Sequence, residues 1–303
     1  GLIVLTESLF PSELVKLWIQ RVEGIAMVGA GASGHIAILA QSLGLPVVVV
    51  APGELDGVMP DTRIVIDAED GKIVIEPPDE ILDAYRKRLS RSREQLDRDA
   101  HIAIPDSVRT LDGVEIALLA NVNLVKDARA AREHNAAGIG LYRSEFPFLI
   151  RNGFPTEEEQ VNVYSRVAQA MPGRPIAFRT LDIGGDKLLN THVGREDNPF
   201  LGFRGIRFLL EHRELLREQL RAMLRAGVDS DLAIHFPMIA SVDEFMEARE
   251  EVVRSIRELN DEGISHNSHP HLGVMVELPA TIDIAGDLAR VVDFFSLGTN
   301  DQI

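Results

Sequence analysis

The sequence predicts an α/β protein built around a parallel sheet, and three observations carry that expectation. From Pro105 onward, short apolar runs alternate with longer amphipathic stretches, the rhythm of strand and helix in a parallel sheet. Polar or charged residues recur directly after those runs: Asn121, Arg143 with Glu145, Arg179 with Asp182, Glu277, and Asn300 with Asp301. Strand ends that carry chemistry mark the active face of a (β/α)₈ barrel. A chain of 303 residues is also long enough for two domains, and its character changes at Pro77-Pro78.

In order, Gly1–Thr6 reads as a strand and Pro11–Gln20 as a helix, with Pro11 or Ser12 near its start. Gly24–Val28 is a second short strand. His35–Leu43 is apolar and helix-forming, and Gly44 with Pro46 ends it. Val47–Val50 is a continuous β-branched run and is expected to be a buried strand. Arg63–Asp67 and Lys72–Ile75 flank Glu69-Asp70-Gly71, a hairpin signal. Asp79 to about Asp99 is dense in charge, with Ile81, Leu82, Tyr85, Leu89 and Leu96 spaced for one helical face. It reads as a linker helix. The expected domains are therefore 1–77, the linker 78–104, and 105–303.

In the second domain, strands are expected at Ile116–Ala120, Gly138–Tyr142, Ile176–Arg179, Ala233–Pro237, Leu272–Val276 and Phe294–Leu297. Helices are expected at Glu157–Ala170, Ile206–Leu210, Arg213–Arg225, Val242–Asn260 and Ile282–Ala289. Six strands do not close an eight-strand barrel. A doubly wound sheet is the alternative, although no dinucleotide-type glycine fingerprint supports it.

Composition removes several function classes. Against 31 Lys and Arg stand 47 Asp and Glu, a net charge of −16, which argues against nucleic-acid binding but not against small phosphorylated ligands. The absence of Cys excludes a disulfide scaffold, thiolate metal sites and a Cys nucleophile in this sequence. No apolar run reaches the roughly 18 to 20 residues of a membrane span. No basic segment followed by an apolar stretch marks a signal peptide, so a cytoplasmic location is the expectation.

Three constellations carry candidate chemistry. Gly29-Ala30-Gly31-Ala32-Ser33-Gly34-His35 is a loop of small residues whose histidine opens an apolar helix. A phosphoryl group on that imidazole would meet free backbone N–H groups and the positive end of the helix dipole. An imidazole is nucleophilic near neutral pH. A loop histidine at a helix cap is the plainer alternative. Arg143, Arg179 and Arg204 each sit after a strand or in a glycine-punctuated loop, and guanidinium forks suit bidentate phosphate or carboxylate contacts. Exposed or salt-bridged arginines would look the same one at a time. Glu277 and Asp301 are carboxylates after apolar strands, oxygen ligands for a hard cation such as Mg²⁺. A helix-capping role for Asn300 or Asp301 is the competing reading.

These motifs, in this order, resemble enzyme I of the phosphoenolpyruvate-dependent sugar phosphotransferase system and its nitrogen-system paralogues. The resemblance runs through the loop at His35, Leu141-Tyr142-Arg143-Ser144-Glu145-Phe146, Pro155-Thr156-Glu157-Glu158-Glu159-Gln160, and Arg179 to Lys187. It continues through Asn198-Pro199-Phe200-Leu201-Gly202-Phe203-Arg204, Glu277-Leu278-Pro279-Ala280 and Phe295 to Asp301, nearly the whole chain. The run Asp182-Ile183-Gly184-Gly185-Asp186-Lys187 separates this family from its relatives pyruvate phosphate dikinase and phosphoenolpyruvate synthase.

The resemblance implies a swivelling phosphohistidine β/α domain joined to a phosphoenolpyruvate (PEP)-binding (β/α)₈ barrel, here incomplete. It implies that His35 takes the phosphoryl group and passes it to a histidine of a small carrier protein. Arg143, Arg179 and Arg204 would hold the substrate, Asn300 would touch its phosphate, and Glu277 with Asp301 would hold Mg²⁺. The parent protein is expected to be a homodimer. The family carries a hydroxyl directly before its histidine, whereas this chain has Ser33-Gly34-His35, displacing the hydroxyl by one position. The family also continues through two further barrel strands, another arginine and a cysteine proton donor. The chain is accordingly expected to be an internal fragment of a longer enzyme.

Overall fold

A computed structural model describes residues 1–29, 34–99, 104–105, 107–149, 154–183 and 202–298. The chain divides into two compact units, Gly1–Ile102 and Ala103–Ile303.

In the first unit, β1 (Leu2–Thr6), β2 (Val22–Val28) and β3 (Val47–Val50) form a parallel sheet in the order β1-β2-β3. The helices α1 (Pro11–Ile19) and α2 (Gly34–Leu43) make its crossovers. Pro11 opens α1 at a position where a missing N–H costs nothing, and Glu13 accepts the Phe10 N–H at 2.9 Å. Gly44 follows α2 at φ +68°, the left-handed cap that only glycine adopts cheaply. Leu14, Ile25, Met27, Ile36, Leu39 and Leu43 are buried, each worth about 1.5–3 kcal/mol of transfer free energy. The expectation for β3 needs correcting. Only Val48 is buried and Val49, on the opposite face of the strand, is 46% exposed, so β3 is not covered on both faces. The hairpin β4 (Ile64–Asp67) and β5 (Lys72–Ile75) is antiparallel as expected.

The charged helix α3 (Asp79–Asp99) belongs to this same unit. Arg88 explains one attachment. It donates to Asp67 at 2.8 Å and Glu69 at 2.7 Å in the turn of the hairpin. The same Asp67 accepts the N–H groups of Glu69 and Asp70. The Asp70 N–H leads in holding its carboxyl below the usual carboxylate range, with the phenol of Tyr85 and the charge of Arg88 adding to it.

In the second unit, six parallel strands lie in strict chain order among the described residues: β8 (Leu119–Val122), β9 (Gly138–Arg143), β10 (Ile176–Arg179), β11 (Leu232–Phe236), β12 (His271–Val276) and β13 (Phe294–Leu297). A doubly wound sheet reverses its strand order at a switch point, so this order rules that alternative out. Each crossover steps the same way, and with the usual right-handed sense the helices fall on one face. Accordingly α4 (Val125–Glu133), α6 (Glu157–Ala170), α8 (Arg213–Ala226) and α9 (Val242–Asp261) pack successively against one another. This is the topology of an incomplete (β/α)₈ barrel.

Shorter elements complete it: α5 (Phe146–Leu149), α7 (Ile206–Glu211), α10 (Pro279–Asp283) and α11 (Ala285–Leu288). Tyr142, Tyr164 and Phe178 pack their rings within 5.4 to 5.7 Å of one another between sheet and helices.

Three expectations shift. The run expected at Ile116–Ala120 divides between two structures. Glu115-Ile116 (β7) pairs antiparallel with Val108-Arg109 (β6), and the sheet strand begins only at Leu119. The helix expected at Ile282–Ala289 is α10 and α11, joined at Ile284. Helix α4 was not expected from its polar composition. Its first turn is held by Asp127, whose carboxylate accepts the Asn123 and Leu124 N–H groups at 3.1 and 2.9 Å.

Candidate functional site

The C-terminal strand ends bring the candidate arginines side by side. Arg143 on β9, Arg179 on β10 and His235 on β11 are register partners in one row across the sheet. Strict alternation from Ile139, which is in the core, would have put Arg143 in the core too. Instead β9 carries one extra residue between its pairings at Ile139 and Tyr142, a bulge at Gly140. That bulge turns Tyr142 into the core and Arg143 onto the face of Arg179. A Cβ at Gly140 would lie 2.8 Å from the Cβ of Leu119, so the bulge needs glycine.

Arg179 is 9% exposed and fully engaged on one side. Its Nη2 donates to Glu145 Oε1 at 2.7 Å, and its Nη1 lies 3.5 Å from Asp182 Oδ2 and 3.7 Å from the sulfur of Met275. Burial works against its charge, but Glu145, Asp182 and Glu277 more than offset it and hold its pKa above the usual arginine value. Arg204 donates from Nε to Asp182 Oδ1 at 2.9 Å and from Nη2 to the Asp182 carbonyl at 3.3 Å. Asp182 thus bridges two of the three arginines, and its own N–H donates to Glu145 at 3.3 Å. Glu145 and Asp182 stand out in the sequence only as polar residues after strands; their work as guanidinium anchors is visible only here.

Glu277 is 2% exposed at the end of β12. Its Oε1 accepts the N–H of Met238 at 2.7 Å. Met238 holds φ at +63°, a strained conformation for a side-chain-bearing residue that aims this N–H at the carboxylate. Across from it, a Cβ on Gly298 would come within 3.0 Å of the Glu277 Cβ, so glycine keeps this corner open. Asn300 and Asp301, the other expected ligands, lie outside the described residues. So does the side chain of His35, whose backbone belongs to α2 in the first unit. Among the described residues no group of three or more His, Asp and Glu side chains gathers as a metal site. A single buried carboxylate beside a guanidinium cluster fits one protein ligand of a Mg²⁺ that also takes phosphate oxygens and water.

Several buried polar atoms here have no hydrogen-bond partner: Nε of Arg143, Nε of Arg179, Oγ1 of Thr180 and both ring nitrogens of His235. Burial, reinforced by the charge of Arg179, pushes His235 down to about 3, so the imidazole is neutral at pH 7. Three guanidinium groups and three carboxylates balance one another in this cluster. An anion that binds Arg179 or Arg204 must displace a carboxylate from the guanidinium, and a cation at Glu277 would tilt the balance toward anion binding.

The arginines and the buried carboxylate thus gather at the C-terminal strand ends of an open (β/α) barrel. Residues 100–303 match the family described as PEP-utilising enzyme, PEP-binding domain, and residues 1–71 match PEP-utilising enzyme, mobile domain. The chain belongs to the PEP-utilising enzymes. It is 39% identical over 302 residues to a phosphoenolpyruvate-protein phosphotransferase of Priestia megaterium, covering 99% of this chain and 52% of that protein. It is 40% identical over 302 residues to the protein of the same name from Geobacillus stearothermophilus, with coverage of 99% and 52%. With the Staphylococcus aureus (strain MSSA476) protein of that name, identity is 40% over 309 residues, covering 100% of this chain and 53% of the relative. The chain thus spans about half the length of the curated relatives it matches. A pyruvate kinase structure from Pyrobaculum aerophilum aligns over 99% of this chain and 67% of its own, at a TM-score of 0.25 and 12% identity, too remote to bear on the fold. No helix among the described residues is long and apolar enough to cross a membrane.

Proposed function

We propose that this chain is part of a phosphoenolpyruvate–protein phosphotransferase. In this reading the P–O bond of the enol phosphate breaks and a P–N bond forms to the imidazole of His35. The enolate left behind takes a proton at its methylene carbon and leaves as pyruvate. The phosphoryl group then passes to a histidine of a small carrier protein. The observation that carries the reading is the Arg143, Arg179 and Arg204 set, gathered at strand ends beside Glu277. It supplies the fixed positive charge that a phosphate and a carboxylate on one small molecule require. The 40% identity to phosphotransferases over essentially the whole chain supports the same reading.

Within it, Arg143 and Arg179 face the substrate from adjacent strands, Arg204 reaches it from the loop before α7, and Asn300 contacts the phosphate. Glu277 and Asp301 would hold Mg²⁺, which neutralises charge on the phosphoryl oxygens. Glu145 and Asp182 hold the guanidinium groups of Arg179 and Arg204 oriented until substrate oxygens replace them. The first unit carries His35 to the barrel, with α3 as its link.

The test is transfer of labelled phosphate from PEP, with Mg²⁺, to the protein that carries this chain. Acid-labile label should map to His35 and vanish in His35→Ala. Replacing Glu277 by Gln should raise the Mg²⁺ requirement at least tenfold without unfolding the protein. PEP binding with no label anywhere would replace this reading by a regulatory PEP-binding protein, with Ser33-Gly34 the first difference to revert.

A further inference from the structure

We propose that Gln219 is a positioning residue for the anion-binding arginines, one that clamps their two loops together from the helix side of the sheet. This rests on reading the arginine cluster as the PEP site. Gln219 lies in the middle of α8 and is 1% exposed. Its Oε1 accepts the N–H of Leu181 at 2.9 Å. Its Nε2 donates to Ser144 Oγ at 3.1 Å and to the Tyr164 hydroxyl at 3.2 Å. Tyr164 in turn donates to Gln160 Oε1 at 3.0 Å, and Gln160 Nε2 donates to the Pro155 carbonyl at 3.0 Å.

The positions matter more than the number of bonds. Ser144 sits between Arg143 and Glu145, and Leu181 sits between Arg179 and Asp182. One amide therefore grips the residue between Arg143 and Glu145 on one segment and, on the other, the residue next to Asp182 and two beyond Arg179. The amide cannot be turned over, because the Leu181 N–H requires an oxygen opposite it. Ser144 and Tyr164 are fully buried, so no solvent takes over if the grip is lost.

On the ligand side, the contacts that join the same two segments among the described residues run through the Glu145 carboxylate: it accepts from Arg179 and from the Asp182 N–H. A phosphate or carboxylate that binds Arg179 competes with that Glu145 contact. The β9–β10 ladder holds the two strands only as far as Arg143 and Arg179, so when the ligand-side contact is given up the Gln219 bonds are what remain to hold the segments just beyond them, Ser144-Glu145 and Leu181-Asp182, in place against the arginine side chains. A misplacement of about 1 Å between binding groups is enough to cost a large factor in binding or rate.

The experiment pairs Gln219→Met with wild type. It measures PEP affinity in the presence of Mg²⁺ by calorimetry, and hydrogen exchange of the segment 179–183 relative to β11. The variant should fold, exchange at 179–183 should quicken at least tenfold while β11 is unchanged, and the PEP dissociation constant should rise at least tenfold. In an Arg179→Lys background the same substitution should add less than twofold, because the guanidinium it positions is already gone. A purely structural role would add its full effect in both backgrounds. Affinity within twofold of wild type, or unchanged exchange at 179–183, overturns the inference. If Gln219→Met does not fold, Ser144→Ala and Tyr164→Phe decide: about threefold weaker PEP binding supports the clamp, and unchanged binding overturns it. A wild-type protein that binds no PEP removes the reading of the arginine cluster instead, and the exchange measurement then decides whether Gln219 holds the loops.

Discussion

His235 offers a quantitative test of the electrostatics beneath the arginine row. It is fully buried on β11, with both ring nitrogens unpartnered, its ring 5.9 Å from that of Phe294 and the charge of Arg179 alongside. In the unfolded chain the imidazole titrates near its ordinary value of about 6.5. In the fold, burial and then Arg179 bring it down to about 3. Between those values the unfolded state binds a proton that the folded state refuses, so stability rises with pH across that window and is lost as pH falls below about 6.5. At pH 5 the loss from this one residue is about 2 kcal/mol, and at pH 7 it is close to nothing.

His235→Met should remove that dependence, since methionine fills a similar volume without a titrating group. Packing changes add a constant that does not vary with pH. The decisive quantity is therefore the difference in unfolding free energy between variant and wild type, measured in urea at pH 7 and again at pH 5. It should shift in favour of the variant by about 2 kcal/mol on going to pH 5. A difference that stays constant to within about 0.5 kcal/mol would falsify the assignment of a neutral, proton-refusing histidine.

Two further substitutions probe the scaffold that holds the site. Gly138→Ala at the start of β9 places a Cβ 2.5 Å from the Pro175 carbonyl, which itself accepts the Ile139 N–H at 2.9 Å. The collision is with backbone, so calorimetry should show a loss of about 1–3 kcal/mol, and a melting temperature unchanged within a degree would contradict the close approach. Thr156→Ala removes the hydroxyl that accepts the Glu159 N–H at the start of α6, half of a capping box completed by Glu159 accepting the Thr156 N–H at 3.0 Å. A loss of about 1 kcal/mol is expected, with Thr156→Ser restoring it.

That capping box shows why much of the fold is legible in the linear chain. Pro155-Thr156-Glu157-Glu158-Glu159-Gln160 reads as a family motif, and the structure gives each part a local reason. Thr156 and Glu159 start the helix, Glu157 and Glu158 receive Arg225 at 2.6 Å, and Gln160 seals the Pro155 carbonyl. Such signals act within a few residues, so α6, β10 and β13 have the expected limits, and α3 matches its expected span. Helix α4 was illegible because its apolar face is thin, with Ala128 its buried residue, and tertiary packing rather than periodicity selects it.

The alternation of strand and helix, and the arginines and carboxylates at strand ends, can be read from the linear chain. Its motifs also pointed to the family of PEP-utilising enzymes. These depend on residue type and local order, which a chain displays without folding. The tertiary structure alone decided the rest. Strand order chose the open barrel over a doubly wound sheet. The bulge at Gly140 reversed the alternation of β9 and so set Arg143 beside Arg179. Asp182 and Glu145 were shown to bind the arginines, and Gln219 to join loops that lie 38 and 75 residues from it in the chain. These are contacts between distant segments, and they exist only once the sheet has brought those segments into register.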